Sequence, residues 1–431
     1  MIAERKVAIV TGANTGVGYA IVQRLVQESP NPLIIILACR NKHRAQDALN
    51  SLHIYFNALQ KKRFHQEQDK YRHDDQTEDR ASGEKIGERN NLYHHPELKI
   101  ELVDVGSAAS VLAFNQRIRD QYRKVDYLFC NAGILPSTGI MWGKLVLDIF
   151  RAPMDVVIRS DVLVQPKQHL TEDGIGNVLA CNVFGHYLMI RGLEDQLNKT
   201  EDDPGRVIWT SSMTAEKGSF SDDDWQGMDA KQPYESSKWV TDLLAIRLNE
   251  IWAGQPSAGT GMADMIAAGS ESPRSDNSSG SSSGTESNIP VRRITRSTSK
   301  VLLVSNGLAP NDSVPPKKHI ISIATQPGVV ASGIGGLAAW IVFLRLALHY
   351  VLRFCGEPNQ TITGYHGAQS NIFVALKQPV QKLDYRFKYG SCIGRTGKEI
   401  LKVEKVVEYE EVQGKMVVEN LEKLRLSVLS S

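Results

Sequence analysis

Leu33 to Leu37 is an unbroken run of five aliphatic residues, Leu-Ile-Ile-Ile-Leu. An extended segment with no polar face has to be covered on both sides. Helices packed above and below a parallel sheet provide that cover. The flanking segments fit this demand. Lys6–Val10 is another apolar run, ending in a glycine turn followed by Val17, Ala20, Ile21 and Leu25 at helical spacing. A helix is expected from about Arg44, and a strand over Lys99–Asp104. Ser107 then caps a helix carrying Val111, Leu112, Phe114 and Ile118. Val125–Cys130 and Arg206–Thr210 read as buried strands, with Val178, Val183, Tyr187 and Leu188 on a helix between them. Tyr234–Ile251 places Val240, Leu243, Leu244 and Leu248 on one helical side, and His319–Thr325 returns to strand. Strands and helices that alternate, joined by right-handed crossovers, predict an α/β fold with a doubly wound parallel sheet.

Two stretches interrupt the alternation. Residues 56–96 are dominated by Lys, Arg, His, Gln, Asp and Glu, and read as a solvated, partly disordered insertion. Residues 254–316 hold Ser/Gly tracts such as Ser278–Gly284 and read as a disordered loop. The segment 134–169 has no clear period. Without the insertions, the 431 residues form one domain over 1–400, followed by a C-terminal extension over 401–431. Within the domain, 334–355 reads as an apolar lid or membrane-associated helix. Its residues Ile334–Phe354 are apolar except for Arg345, His349 and Arg353. A spanning helix needs ~20 mostly apolar residues, so with these charges an interfacial helix is expected.

The formal charge of +2 leaves no basic stripe for nucleic acid. The five cysteines Cys39, Cys130, Cys181, Cys355 and Cys392 are widely spaced, with no CxxC pair. That usage points to a reducing compartment and away from zinc. His186 and His349 lie in no metal-ligand spacing and read as structural, so no metal is expected. Met1–Val10 leads straight into a strand, so no secretory signal is expected.

The octet Thr11-Gly12-Ala13-Asn14-Thr15-Gly16-Val17-Gly18 stands between the first strand and the first helix. Glycines there let the backbone approach a pyrophosphate, and the free N–H groups of a helix start favour the anion. Gly12, Asn14, Thr15, Gly16, Val17 and Gly18 are therefore candidate dinucleotide contacts. Cys39-Arg40 follows the second strand. A carboxylate there would bind the ribose 2′-OH of NAD, whereas an arginine suits a 2′-phosphate. NADPH is expected. Tyr234 and Lys238 lie one turn apart on one helical face. A close ammonium and a positive nicotinamide ring favour a phenolate, which predicts a lowered Tyr234 pKa and general acid catalysis on a carbonyl. A hydroxyl beside Tyr234 would stabilise charge gathering on the carbonyl oxygen.

The spacing Gly-x-x-x-Gly-x-Gly, Asn131-Ala132-Gly133 ending the fourth strand, and the Tyr234–Lys238 pair together resemble the short-chain dehydrogenase family. The resemblance covers the chain apart from its two insertions and implies a Rossmann-type fold. It implies cofactor contacts at Asp104, Asn131, Ala132, Gly133, Tyr234, Lys238, Pro327 and Gly328. It also implies a catalytic tetrad of Asn182, Ser212, Tyr234 and Lys238, with Ser211 as the fallback serine. Asn182 would hold a water linking the lysine to solvent. Ser212 and Tyr234 are 22 positions apart, longer than in many members, so Asp222-Asp223-Asp224-Trp225 must loop out.

The string Tyr234–Leu244, with Gly364-Tyr365-His366-Gly367-Ala368 and Lys388-Tyr389-Gly390-Ser391, resembles the 3-keto-steroid reductases of sterol biosynthesis and the vertebrate type 7 17β-hydroxysteroid dehydrogenases. The insertions look like those of filamentous-fungal members. This resemblance implies NADPH-dependent reduction of a 4-methyl 3-keto sterol to its 3β-alcohol. It implies a place on the cytosolic face of the endoplasmic reticulum membrane, or on lipid droplets. The expected neighbours are a C-4 methyl oxidase, a decarboxylating sterol dehydrogenase and a membrane scaffold. A retinol- or xenobiotic-type carbonyl reductase and a non-catalytic scaffold subunit are the alternatives left open.

Overall fold

The aliphatic run lies between two apolar layers. Ile36 and Ala38 pack into one core with Ile9, Val111, Phe114 and Leu243. Ile35 and Leu37 point the other way, into a second core with Val10, Ile21 and Leu25. The computed structural model describes residues 5–74, 96–141, 143–144, 151, 163–198, 203–254, 320–331, 339–406 and 408–430. The first half of the chain runs β1 (Lys6–Thr11), α1 (Gly16–Glu28), β2 (Leu33–Cys39), α2 (Lys42–Asp74), β3 (Glu97–Leu102), α3 (Ala108–Gln121) and β4 (Tyr127–Cys130). A small antiparallel ladder pairs β5 (Gly139–Ile140) with β6 (Leu163–Val164). Next come α4 (Asn177–Leu179), a π turn (Ala180–Phe184), α5 (Gly185–Gly192), β7 (Gly205–Thr210) and α6 (Pro233–Gly254). The remainder is β8 (Ile320–Gln326), α7 (Ala339–Cys355), α8 (Gly364–Gly367), β9 (Phe387–Ile393), β10 (Glu399–Lys405) and α9 (Glu411–Ser430).

The sheet order is β10-β9-β8-β7-β4-β1-β2-β3. Every pairing in it is parallel except β9 with β10. The order reverses between β1 and β4. Open α/β sheets bind ligands outside the carboxyl ends of the strands at such a switch point. Here those ends are Thr11, at the glycine turn, and Cys130, before Asn131-Ala132-Gly133.

Two expectations need correction. The polar stretch starting at 56 is helix as far as Asp74, because α2 continues through it. Lys42–Asp74 contains no Gly or Pro and is rich in good helix formers. Its buried positions Ala45, Ala48, Leu52 and Phe56 lie in the N-terminal half, and they anchor the polar remainder. Residues 75–95 and 255–316 lie outside the described residues. The second correction concerns the domain boundary at 400, which cuts through β10. That strand closes the sheet as an antiparallel edge paired with β9, with Leu401 opposite Ser391.

Helix α9 lies along α6 and α5. Val417, Val418 and Leu421 are buried there. The Trp239 indole donates to Gln413 Oε1 at 3.1 Å, and the Tyr187 hydroxyl donates to Glu422 Oε2 at 2.7 Å. Burial pushes the Glu422 carboxyl up, but hydrogen bonds from Arg425 and Tyr187 outweigh it and hold the group below its ordinary range.

Candidate active site

The glycine turn is shaped by backbone geometry. Gly12 and Gly16 have φ of +66° and +57°, a region that side chains disfavour. A Cβ on Gly18 would lie 2.3 Å from the Gly12 carbonyl oxygen and 2.6 Å from Asn131 Nδ2. Thr11 ties this turn to the end of β4. Its hydroxyl donates to the Phe129 carbonyl at 3.0 Å and accepts from the backbone N–H of Asn131 and Ala132 at 2.8 and 2.9 Å. Asn131 Nδ2 donates to the Thr11 carbonyl at 3.0 Å. His186 Nε2 stands 2.9 Å from the same hydroxyl. Burial, then the nearby Lys238, push that imidazole down to about 3, so it stays neutral. With the Thr11 proton committed to Phe129, a neutral His186 donates from Nε2. His186 is thus structural, as its sequence context suggests, and it steadies the turn.

These residues fit a dinucleotide. The turn leaves no room for a Cβ at Gly18, and α1 begins without a side-chain cap on its first N–H groups. A cavity of about 480 Å³ beside the turn is lined by Asn14, Thr15, Gly16 and Tyr19, and by Arg44 and Ser51 of α2. Arg40 is exposed just beyond β2, with a guanidinium nitrogen 3.7 Å from Asp104 Oδ2. Asp104 Oδ1 accepts from the Gly106 N–H at 3.0 Å. On the far side of the switch point, Gly328 follows β8 with φ of +68°, close under the Asn359 and Ser391 carbonyls. Thr361 Oγ1 donates to the Pro327 carbonyl at 2.8 Å. Gly364, part of the Gly-Tyr-His-Gly string, packs directly on the Gly16 carbonyl, 2.5 Å from where its Cβ would lie.

The catalytic candidates converge beside this turn. Tyr234 and Lys238 lie on the first turns of α6, with Lys238 Nζ 5.6 Å from the Tyr234 ring centroid. Lys238 Nζ donates to the Thr210 carbonyl at 2.7 Å. The Ser212 hydroxyl stands near the Tyr234 phenol and acts to lower its pKa. It also lies 2.9 Å from Thr214 Oγ1 and accepts from the Thr214 N–H at 3.1 Å. Ser211 faces elsewhere, donating to the Lys238 carbonyl at 3.4 Å. Between the two serines, the geometry favours Ser212. Asn182 sits in the π turn, a helix irregularity often found at functional sites. Its Oδ1 accepts from the Ile134 N–H at 2.7 Å, and its Nδ2 donates to Ile134 O at 3.1 Å and Ser237 Oγ at 2.9 Å. Its side chain is therefore engaged by Ile134 and Ser237. Gly133 packs against it, with a built Cβ 2.8 Å from Asn182 Oδ1.

One electrostatic expectation is reversed. Burial, and then the Glu235 carboxylate, push the Tyr234 phenol up to about 12 against the nearby Ser212 hydroxyl, which acts to lower it. Burial also brings Lys238 down to about 8, opposed by Asp242 and Cys130. Desolvation is the dominant influence, so the phenol holds its proton at neutral pH.

Sequence patterns gave no sign of Gln165. Its Oε1 accepts from the Tyr234 N–H at 3.0 Å and its Nε2 donates to Glu235 Oε2 at 2.7 Å, so it caps the start of α6 from a loop without periodicity. The long Ser212–Tyr234 connection is ordered by Asp224, whose carboxylate accepts from the N–H groups of Met228 and Asp229 at 2.8 and 2.9 Å. Among the described residues, no group of three His, Cys, Asp or Glu could hold a metal ion.

The short chain dehydrogenase family profile matches residues 62–250. The 3-keto-steroid reductase/17-beta-hydroxysteroid dehydrogenase 7 of Homo sapiens is 32% identical over 248 residues, covering 57% of this chain and 61% of that protein. The 3-keto-steroid reductase of Schizosaccharomyces pombe is 29% identical, over 56% of this chain and 62% of its own length. The 3-keto-steroid reductase of Aspergillus fumigatus is 26% identical over 421 residues, 91% of this chain and 79% of that one. The chain thus spans about three fifths of the length of its human and S. pombe relatives. The strand order and the turn at its switch point agree with this similarity to the short-chain dehydrogenase family.

Proposed function

We propose that this chain is an NADPH-dependent 3-keto-steroid reductase that converts the C-3 ketone of a 4-methyl sterol into the 3β-alcohol. The observation that carries the reading is the Tyr234 ring 5.6 Å from Lys238 Nζ on one face of α6, with the Ser212 hydroxyl near the phenol. The names of the matched human and fungal proteins support a steroid ketone as substrate. When bound, NADPH supplies a hydride to the carbonyl carbon. The chain's own residues handle the proton. A phenol held at about 12 is protonated at pH 7, so Tyr234 has its proton ready for the carbonyl oxygen. Ser212 is placed to donate to the same oxygen as negative charge gathers there. Lys238, near 8, is mostly cationic at neutral pH and stabilises the phenolate that Tyr234 becomes. The test is NADPH oxidation by a 4-methyl-3-keto sterol, with wild type compared against Tyr234→Phe.

Arg40 supports NADPH over NADH. Losing a charge-assisted hydrogen bond to a 2′-phosphate costs ~1.5–3 kcal/mol, or ~10–100-fold in affinity. Arg40→Asp should weaken NADPH binding by that factor while NADH binding is little changed. Equal effects on both cofactors would refute the assignment.

We place the enzyme on the cytosolic face of the endoplasmic reticulum membrane, or on lipid droplets, beside a C-4 methyl oxidase, a decarboxylating sterol dehydrogenase and a scaffold protein. Helix α7 supports contact with lipid. Among the described residues no helix is long and apolar enough to cross a membrane. Yet α7 turns Phe343, Tyr350, Val351 and Phe354 outward, with Phe343 73% and Phe354 78% exposed. On its opposite face His349 is buried, its Nδ1 2.7 Å from Gln360 Oε1. An amphipathic helix of this kind lies in the headgroup layer. Burying each phenylalanine in lipid contributes ~1.5–3 kcal/mol. The double variant Phe343→Ser/Phe354→Ser should therefore lose most of its flotation with phosphatidylcholine vesicles. Unchanged flotation would remove the lipid contact.

A further inference from the structure

We propose that Lys388 is a positioning residue for the active site, its ammonium clamping the backbone of Ser212 to the carboxylate of Asp242 on the catalytic helix. The inference rests on the assignment of Ser212, Tyr234 and Lys238 above and adds to it a residue that touches none of the reacting atoms.

Lys388 sits near the start of β9, and its side chain is only 11% exposed. Its Nζ donates to the Ser212 carbonyl at 3.0 Å and to Asp242 Oδ2 at 2.7 Å. Asp242 lies one helical turn beyond Lys238, with its side chain 1% exposed. Among the described residues, Asp242 Oδ1 has no hydrogen-bond partner. Lys388 is thus a charge-assisted donor to a carboxylate that solvent does not reach. The serine that meets Tyr234 stands on a loop leaving β7, and loops hold side chains less firmly than strands. A cation anchored in β9 fixes that loop relative to α6, at the carbonyl of the residue whose hydroxyl is used. A shift of ~1 Å in such a group is enough to slow turnover ~100-fold.

The same bridge sets the charge around Lys238. The groups facing that ammonium are Tyr234 and Asp242 of its own helix, Cys130 at the end of β4 and His186 of α5. Asp242 is the carboxylate among them and holds Lys238 in its charged form. Lys388 anchors Asp242 and partly offsets its field.

The experiment uses the full chain with NADPH and a 3-keto steroid, and measures kcat, KM, NADPH affinity and the pH profile of kcat. Lys388→Met should lower kcat by about tenfold or more while NADPH affinity holds, because a serine displaced by a fraction of an ångström slows the chemistry without disturbing the cofactor turn. Lys388→Arg should recover part of the loss. Asp242→Asn should move the alkaline fall of kcat to lower pH, because Lys238 loses its supporting negative charge. A purely structural contact would leave that limb in place. If Lys388→Met does not fold, the charge-neutral pair Lys388→Met/Asp242→Asn removes the stranded carboxylate and should fold, with kcat still depressed. Wild-type kcat in folded Lys388→Met, or an unmoved alkaline limb in folded Asp242→Asn, overturns the proposal, provided Tyr234→Phe is inactive. An active Tyr234→Phe would instead overturn the active-site assignment, and the role of Lys388 with it.

Discussion

Tyr234→Phe should fold normally, bind NADPH as the wild type does, and reduce the ketone ~10²–10⁴-fold more slowly, the usual contribution of a placed general acid. The substitution removes one oxygen. The ring stays on the first turn of α6, and the cofactor turn across the sheet is untouched. What is lost is the hydroxyl beside Ser212 and the proton the carbonyl oxygen would receive. Ser212 and Lys238 remain, so some rate should survive through oxyanion stabilisation alone. Single-turnover rates with enzyme in excess, together with an NADPH titration, separate the chemical step from binding. Near-wild-type turnover in this variant would mean that the proton comes from elsewhere.

Gly18→Ala should have the second-largest effect, on cofactor binding. The added methyl would sit 2.3 Å from the Gly12 carbonyl oxygen and 2.6 Å from Asn131 Nδ2. Neither neighbour can yield easily. Gly12 is held at positive φ, and Asn131 is hydrogen-bonded to Thr11. Overpacking a tight site costs ~1–3 kcal/mol. Alanine improves helix propensity by ~1 kcal/mol at most, which does not offset backbone atoms this close. The turn must open, and the N–H groups of α1 move away from the pyrophosphate position. NADPH affinity should fall ~10–100-fold, the binding equivalent of that energy range. Fluorescence titration measures it directly, and wild-type affinity would show that the turn is not the dinucleotide cradle.

The parts of this molecule that the sequence reveals are those whose cause is local. Leu33–Leu37 announces a strand covered on both faces, and the two cores on either side of β2 bear this out. The Tyr234–Lys238 spacing is a helical turn in the sequence and in the fold. What stays hidden depends on partners far apart in the chain. Gln165 meets Tyr234 across 69 positions, and Lys388 meets Ser212 across 176. Gln165 sits in no periodic pattern, and Lys388, though part of the Lys388–Ser391 string, gives no sign in the sequence of the serine it meets. Residues 399–405 read as the start of an extension because an edge strand buried on one side gives a weak signal. The phenol was misjudged for a different reason. The lysine is visible in the sequence, whereas desolvation of the hydroxyl emerges only from the packing around it.

Helix α9 has a consequence for how copies of this protein can meet. It lies over the outer sides of α5 and α6, held by Gln413 on Trp239 and by Glu422 on Tyr187. A twin pressing on that flank would have to peel the helix away and strand the Glu422 carboxylate. The molecule thus carries a built-in tenant on the wall behind Tyr234 and Lys238, and α5 and α6 are open to a twin on that side only where α9 gives way.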